Sequence, residues 1–221
     1  MTDKVILLTG YPPFGRHTLN PSGLVAEALN GREIRGYQVV GVTLPCDYKL
    51  MPPLLMGLIE QLRPVVIIGS GLAFGESQFR IERVGLNLLD FGSVSDNGGH
   101  LLKGEPAVKD GPTAYFTTLP LLKVVERLRQ EGIPAYLSSH AGGHLCNHMI
   151  YTALHLVTQM DIGRPLVGFI HLPALPHQAA AEALRDNLPL CAPSMSLDLI
   201  LQGLEIVIQE SILGLDSLNR D

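Results

Sequence analysis

PLVGFIHLP, residues 165–173, is the stretch on which the reading of the fold turns. Between its two prolines runs a nearly unbroken apolar segment, Leu166 to Ile170, with His171 standing where the run ends. Apolar residues at both odd and even positions suit a strand covered on both faces, as in a sheet sandwiched between helices. Val5 to Leu8 and Val65 to Ile68 have the same character and are bounded by glycine or proline. Helical patterns lie between such runs. Asn20-Pro21 looks like an N-cap followed by a first-turn proline, opening a helix toward Asn30 that Gly31 stops. LLKVVERLRQ (121–130) has helical spacing and ends at Gly132-Ile133-Pro134. Further strands are expected through Tyr37 to Leu44 and near Ala135 to Leu137. The alternation predicts an α/β protein: a single three-layer α/β/α domain, 1–221, around a twisted, mostly parallel mixed sheet.

Two other helices are expected. Over 147–160, Met149, Ile150, Ala153, Leu154, Val157 and Met160 share one face, while His148, Thr152, His155 and Gln159 share the other. Over 196–213 only Asp198, Gln202, Glu205 and Gln209 form a polar stripe, so this helix should be buried in the core or against another subunit. The stretch 91–111 is the one long polar loop, and loops of that length are often functional or mobile.

Composition narrows the function. With 221 residues, 46% of them hydrophobic, the chain can bury a full core. A formal charge of −5 argues against nucleic acid as partner. The short apolar run after Asp3 and Lys4 is no signal peptide, and no stretch approaches the roughly 18 apolar residues of a membrane span, so an intracellular protein is expected. Cys46, Cys146 and Cys191 are odd in number and widely spaced, unlike a secreted disulfide framework.

The densest cluster of chemistry is SSHAGGHLCNHMIY (138–151). Two glycines precede Cys146 just before a helix, whose N-terminal N–H groups and dipole would lower a thiol pKa and could receive an oxyanion. The plain alternative is a small core residue where a loop enters a helix. His171, at the carboxyl end of a strand, is placed either for general-base work or as a satisfied structural residue. Glu82, within RIERV, could orient an imidazole or simply pair with Arg80 or Arg83. His140, His144, Cys146 and His148 lie within nine residues, but Gly142 and Gly143 argue against the helix that a zinc pair would need. No metal is expected.

Several segments together, in order along nearly the whole chain, resemble the pyroglutamyl peptidase I (pyrrolidone-carboxylate peptidase) family. GLAFGESQFRIERVGLN (71–87) is similar to its glutamate signature, SSHAGGHLCNHMIY to its cysteine signature and FIHLP (169–173) to its histidine segment. LTGYPPFGRHTLNPSG (8–23), EPAVKDGPTAYFTTLP (105–120) and PSMSL (193–197) also fit. The resemblance implies a cytoplasmic cysteine exopeptidase that hydrolyses the amide bond after an N-terminal pyroglutamyl (5-oxoproline) residue of peptides through a thioester, without cofactor. It implies Cys146 as nucleophile, His171 as general base and acid, and Glu82 as the residue orienting His171. Tyr11, Phe14 and His144 would surround the pyroglutamyl ring, Asn20 would support that pocket, and the enzyme would be a homo-oligomer, often a tetramer.

The chain departs from the family pattern at Tyr11 (commonly phenylalanine), Phe74 (commonly glycine), Gly85 (commonly alanine) and His144 (commonly aromatic). DFGSVSDN (90–97) also stands in place of a loop containing ARIPDN. His144 is expected to make pyroglutamyl binding weaker or pH-dependent. Two other readings stand beside this one: a nucleoside phosphorylase-like transferase on a similar scaffold, and a binding protein that kept the pocket but lost turnover.

Overall fold

In the computed structural model, which describes residues 4–218, the apolar runs become the middle of a sheet. The strands are β1 (Val5–Gly10), β2 (Glu33–Ile34), β3 (Tyr37–Thr43), β4 (Val66–Leu72), β5 (Phe79–Glu82), β6 (Val84–Leu86), β7 (Leu89–Asp90), β8 (Lys103–Glu105), β9 (Ala114–Phe116), β10 (Ala135–Ser138) and β11 (Leu166–Leu172). The helices are α1 (Pro21–Leu29), α2 (Met51–Leu62), α3 (Leu121–Gln130), α4 (Leu145–Gln159), α5 (Pro176–Arg185) and α6 (Leu197–Leu218). Seven strands form one sheet in the order β10-β5-β11-β4-β1-β3-β2. The neighbours β11, β4, β1 and β3 are mutually parallel; β5 runs against β11, and β2 runs against β3.

All residues of β1 and β11 are buried, which is why they carry apolar side chains at both parities. Ile6, Leu8, Ile68 and Ile170 pack on one face against Val25 and Leu29 of α1, Val124 and Leu128 of α3, and Ile200 and Leu204 of α6. Leu7, Ile67, Val167 and Phe169 pack on the other against Leu55 and Ile59 of α2 and Met149 and Ala153 of α4. Each such side chain contributes roughly 1.5–3 kcal/mol on burial. The result is the expected α/β architecture around a mostly parallel mixed sheet.

Several elements differ from expectation for local reasons. α4 starts at Leu145, two residues earlier than its sequence suggests, because its N-cap, His144, makes no capping side-chain bond and so carries no start signal. The strand β11 runs on through His171, which is therefore held inside the sheet. The presumed polar side of α4 is partly buried, His148 and Thr152 included, because β6 and β9 pack along it. α2 escapes sequence reading because MPPLLMGLIEQL carries two prolines and a glycine, although proline fits a first helical turn. α6 is buried against α1, α3, β2 and β11 of its own chain. The long loop is tied down: β8 pairs with β7, Phe91 is buried, and the buried Asp96 carboxylate accepts from Tyr48 N (3.0 Å) and His100 N (2.8 Å). Among the described residues no helix is long and apolar enough to cross a membrane.

Candidate active site

Sheet register assembles the site. Tyr136 of β10 is paired with Arg80 of β5, Arg80 with His171 of β11, and His171 with Gly71 of β4. The adjacent row on the same face runs Ser138, Glu82, Phe169, Gly69. Side chains two apart along a strand share a face, so Arg80, Glu82, Phe169 and His171 all point toward the side covered by α4.

Glu82 is fully buried, and its Oε1 lies 2.7 Å from His171 Nδ1. With Nδ1–H donating to the carboxylate, the lone pair of Nε2 is left free to accept a proton. The same Oε1 accepts from Arg80 Nε (3.2 Å) and Nη2 (3.1 Å), while Oε2 is buried without a partner. The local ion pair and the imidazole contact, alternatives from sequence, therefore coexist.

Cys146 is half-buried in the first turn of α4. A Cβ placed on Gly71 would lie 2.9 Å from Cys146 Sγ and 3.0 Å from Phe169 Cζ. Glycine at 71, the in-register neighbour of His171, is thus what lets the sulfur settle onto the sheet beside the imidazole. Gly69 has a similar role, since a Cβ there would meet Met149 Sδ at 2.5 Å. Glycines at alternate positions of one strand are the sequence signal for such close approach. Upstream, Gly142 takes a positive φ of 80° and Gly143 is pressed against Asp90, whose N–H donates to Gly143 O at 2.8 Å. These two glycines bring the chain tightly into the helix start.

Burial pushes the Cys146 thiol up to about 12, with Cys46 and Glu82 adding to the rise, while Arg80 and the residue's own backbone N–H oppose it. The lowering expected from the helix start, here that backbone N–H, is outweighed by desolvation. Burial thus favours the thiol over the thiolate at this position.

Cys146 and His171 open onto one cavity of about 310 Å³, lined also by Tyr11, Phe14, Asn20, Phe74 and His144. Tyr11 is buried and donates from its hydroxyl to Leu145 O (2.9 Å). Asn20 caps α1 by accepting from Ser22 N (3.1 Å) and donates to Pro12 O (3.0 Å); Ser22 Oγ in turn accepts from Tyr11 N (3.0 Å). Asn20 thus stiffens the wall that carries Tyr11. His144 stacks on Phe91 (4.0 Å between ring centres), meets the edge of Phe14 (5.0 Å) and lies with Nε2 3.0 Å from Val94 O. Burial lowers its pKa from the ordinary value, so any pH dependence it brings falls below the usual histidine range. Phe91 and Val94 belong to the altered 90–97 loop, so this loop and His144, both departures from the family pattern, are in direct contact.

All seven side chains singled out in the sequence converge here, Glu82 from behind His171. His17, stacked on Phe74 at 4.8 Å, and Cys46 also line the cavity without an advance signal. A shallower groove of about 610 Å³ between α3 and β10 holds Glu126 and Arg129 but neither thiol nor imidazole.

Comparison with known proteins gives a consistent picture. A family model described as pyroglutamyl peptidase matches residues 4–213. The chain is 38% identical over 213 residues to pyrrolidone-carboxylate peptidase 2 of Photorhabdus laumondii, covering 96% of this chain and 93% of that one. It is 36% identical over 207 residues to the pyrrolidone-carboxylate peptidase of Pyrococcus furiosus, covering 94% and 97%. Among solved structures, pyrrolidone carboxyl peptidase from Thermococcus litoralis superposes with a TM-score of 0.90 at 32% identity, covering 97% of this chain and 96% of that one.

Proposed function

Because this chain belongs to the pyroglutamyl peptidase family, we propose that the crevice between β11 and α4 is its active site, with Cys146 as nucleophile, His171 as base and acid, and Glu82 orienting His171. The chain is a pyroglutamyl-peptidase I, a cysteine hydrolase that cleaves the amide bond after an N-terminal pyroglutamyl residue. The relatives named above are peptidases, so neither the transferase nor the inactive binding module is favoured.

The observation that carries the residue assignment is the shared face. Glu82 Oε1 holds His171 Nδ1 at 2.7 Å, and the imidazole and the Cys146 sulfur border one aromatic-walled cavity. Cys146 attacks the pyroglutamyl carbonyl while its proton passes to His171 Nε2, a C–S bond forms and the carbonyl oxygen becomes an oxyanion. The N–H groups of the first turn of α4, which lack intrahelical acceptors, face that charge. Collapse breaks the C–N bond, and His171 returns the proton to the departing amine. Water, deprotonated by the same imidazole, then cleaves the thioester, and the sulfur regains its proton.

Specificity follows from the walls. The lactam ring is nearly apolar on its faces, which suits Tyr11, Phe14 and the His144–Phe91 stack, whereas an ordinary N-terminus would bring an ammonium group into that apolar space at high cost. Three free cysteines, one of them the nucleophile, suit a reducing compartment such as the cytoplasm. Exposed Phe116 (78%), Leu122 (73%) and Leu190 (80%) support a homo-oligomer, and the packing of residues 4–218 around one sheet supports a single domain. In the decisive assay, Cys146→Ala releases no chromogenic amine from a pyroglutamyl amide beyond background; a variant that keeps turning over removes the mechanism.

A further inference from the structure

Arg80 has no part in the reaction as written, yet it stands in the middle of the row Tyr136, Arg80, His171, Gly71. Its Nε and Nη2 both converge on Glu82 Oε1, the oxygen that also serves His171, and leave the buried Oε2 bare. An arginine acting as a plain ion-pair partner would more commonly spread its fork over both oxygens. The outer side of the guanidinium is itself braced. Nη1 donates to Glu76 Oε1 (3.3 Å), which also accepts from the Tyr136 hydroxyl (3.0 Å), and Nη2 lies 3.5 Å from His140 O. The side chain is 21% exposed and the carboxylate it grips is 0% exposed, so the charge of Arg80 acts through little water.

We propose that Arg80 is a positioning residue for this hydrolysis: it fixes which Glu82 oxygen receives the imidazole N–H and offsets the Glu82 charge at the crevice. The inference rests on the assignment of Cys146, His171 and Glu82 made above. A bare buried carboxylate beside the site would favour an imidazolium, which cannot act as base, and would oppose ionisation of sulfur. A guanidinium on the same oxygen counters both effects. The charged and titratable groups around this centre are Glu82 and Arg80 on β5, Cys146 on α4, Tyr11 after β1, Cys46 after β3, His17 and His144 on the cavity wall, and Glu76, Tyr136 and His140 on the outer side of Arg80. Only Arg80 among them is a fixed cation.

The test uses the full chain with Arg80→Gln and Arg80→Lys, checked for folding by circular dichroism. It measures kcat and KM across pH, together with the rate of iodoacetamide capture at Cys146 identified by peptide mass spectrometry. For Arg80→Gln the acid limb of kcat/KM moves up by about one pH unit, kcat falls about tenfold with KM nearly constant, and capture at pH 8 slows about tenfold. Arg80→Lys keeps the charge but loses the two-point grip, so its acid limb stays near the wild-type position while kcat drops about threefold. A folded Arg80→Gln enzyme with unmoved limb and unchanged kcat overturns the proposal, as does one that merely melts at lower temperature. Should Arg80→Gln fail to fold, wild-type kcat in Arg80→Lys overturns it equally. Activity surviving in Cys146→Ala would instead strike the underlying assignment, whatever Arg80 does.

Discussion

A methyl group at position 71 would have nowhere to go. The added carbon of Gly71→Ala would meet Cys146 Sγ at 2.9 Å and Phe169 Cζ at 3.0 Å, and the sulfur is the softer of the two obstacles. Displacing it by a few tenths of an ångström from the imidazole should lower kcat by roughly 10–100-fold while KM changes little. Steady-state kinetics with a thermal melt would check this, and wild-type kcat in a normally folded variant would mean the sulfur position is not critical. A second residue-scale prediction concerns His148, 2% exposed, with an unpartnered Nδ1 and a pKa that burial holds down at about 4. Above about pH 6.5 the ring is neutral in folded and unfolded chains alike, and pH has no effect through it. Between there and pH 4 the unfolded chain takes up the proton and the folded chain does not, so stability is lost as pH falls, on the order of 3 kcal/mol in all. Urea unfolding at pH 7 and pH 4.5 should show that His148→Leu loses roughly 2–3 kcal/mol less than the parent over this interval. An equal loss in both proteins would show that the imidazole is not the group responsible.

Element by element, the start of α4 is held by its third residue. Asn147, 0% exposed, accepts from Leu86 N (2.9 Å) and donates to Leu86 O (2.9 Å) and Leu88 O (2.8 Å), pinning the β6 segment to the helix that carries Cys146. Asn147→Ala leaves Leu86 N and Leu88 O, both partly buried, without the amide that serves them, while Leu86 O keeps the Leu88 N–H (2.8 Å), and should cost about 2–3 kcal/mol in denaturant unfolding; a loss under about 1 kcal/mol would show that water replaces the amide. The elements also show where sequence reading succeeds. Leu121–Gln130 was legible to the residue because one narrow apolar stripe, Val124, Val125 and Leu128, meets the sheet and a glycine turn ends it. The α4 start was not, since its N-cap is an uncapping histidine, and neither was the α4 side carrying His148 and Thr152, because short strands distant in sequence cover it. For the site, Cys146 beyond a glycine pair and His171 in an apolar run were visible locally. That Glu82 grips both Arg80 and His171 depends on β5 running opposite to β11, and no local pattern encodes that pairing.

For the molecule as a whole, the exposed apolar side chains on β9, on α3 and after α5 predict self-association. Sedimentation equilibrium should give a mass above the 23.9 kDa of one chain, with about four times that value for the tetramer; a monomer at all concentrations would end that reading. The strand made last, β11, lies between β5 and β4. Until a ribosome has delivered it, the nascent chain can hold only two separate strand groups, β10-β5 and β4-β1-β3-β2, with a gap where His171 belongs. Insertion of this final strand joins the halves and delivers His171, so a growing polypeptide lacks the proposed base, and should stay inert toward peptides around it, until its sheet is whole.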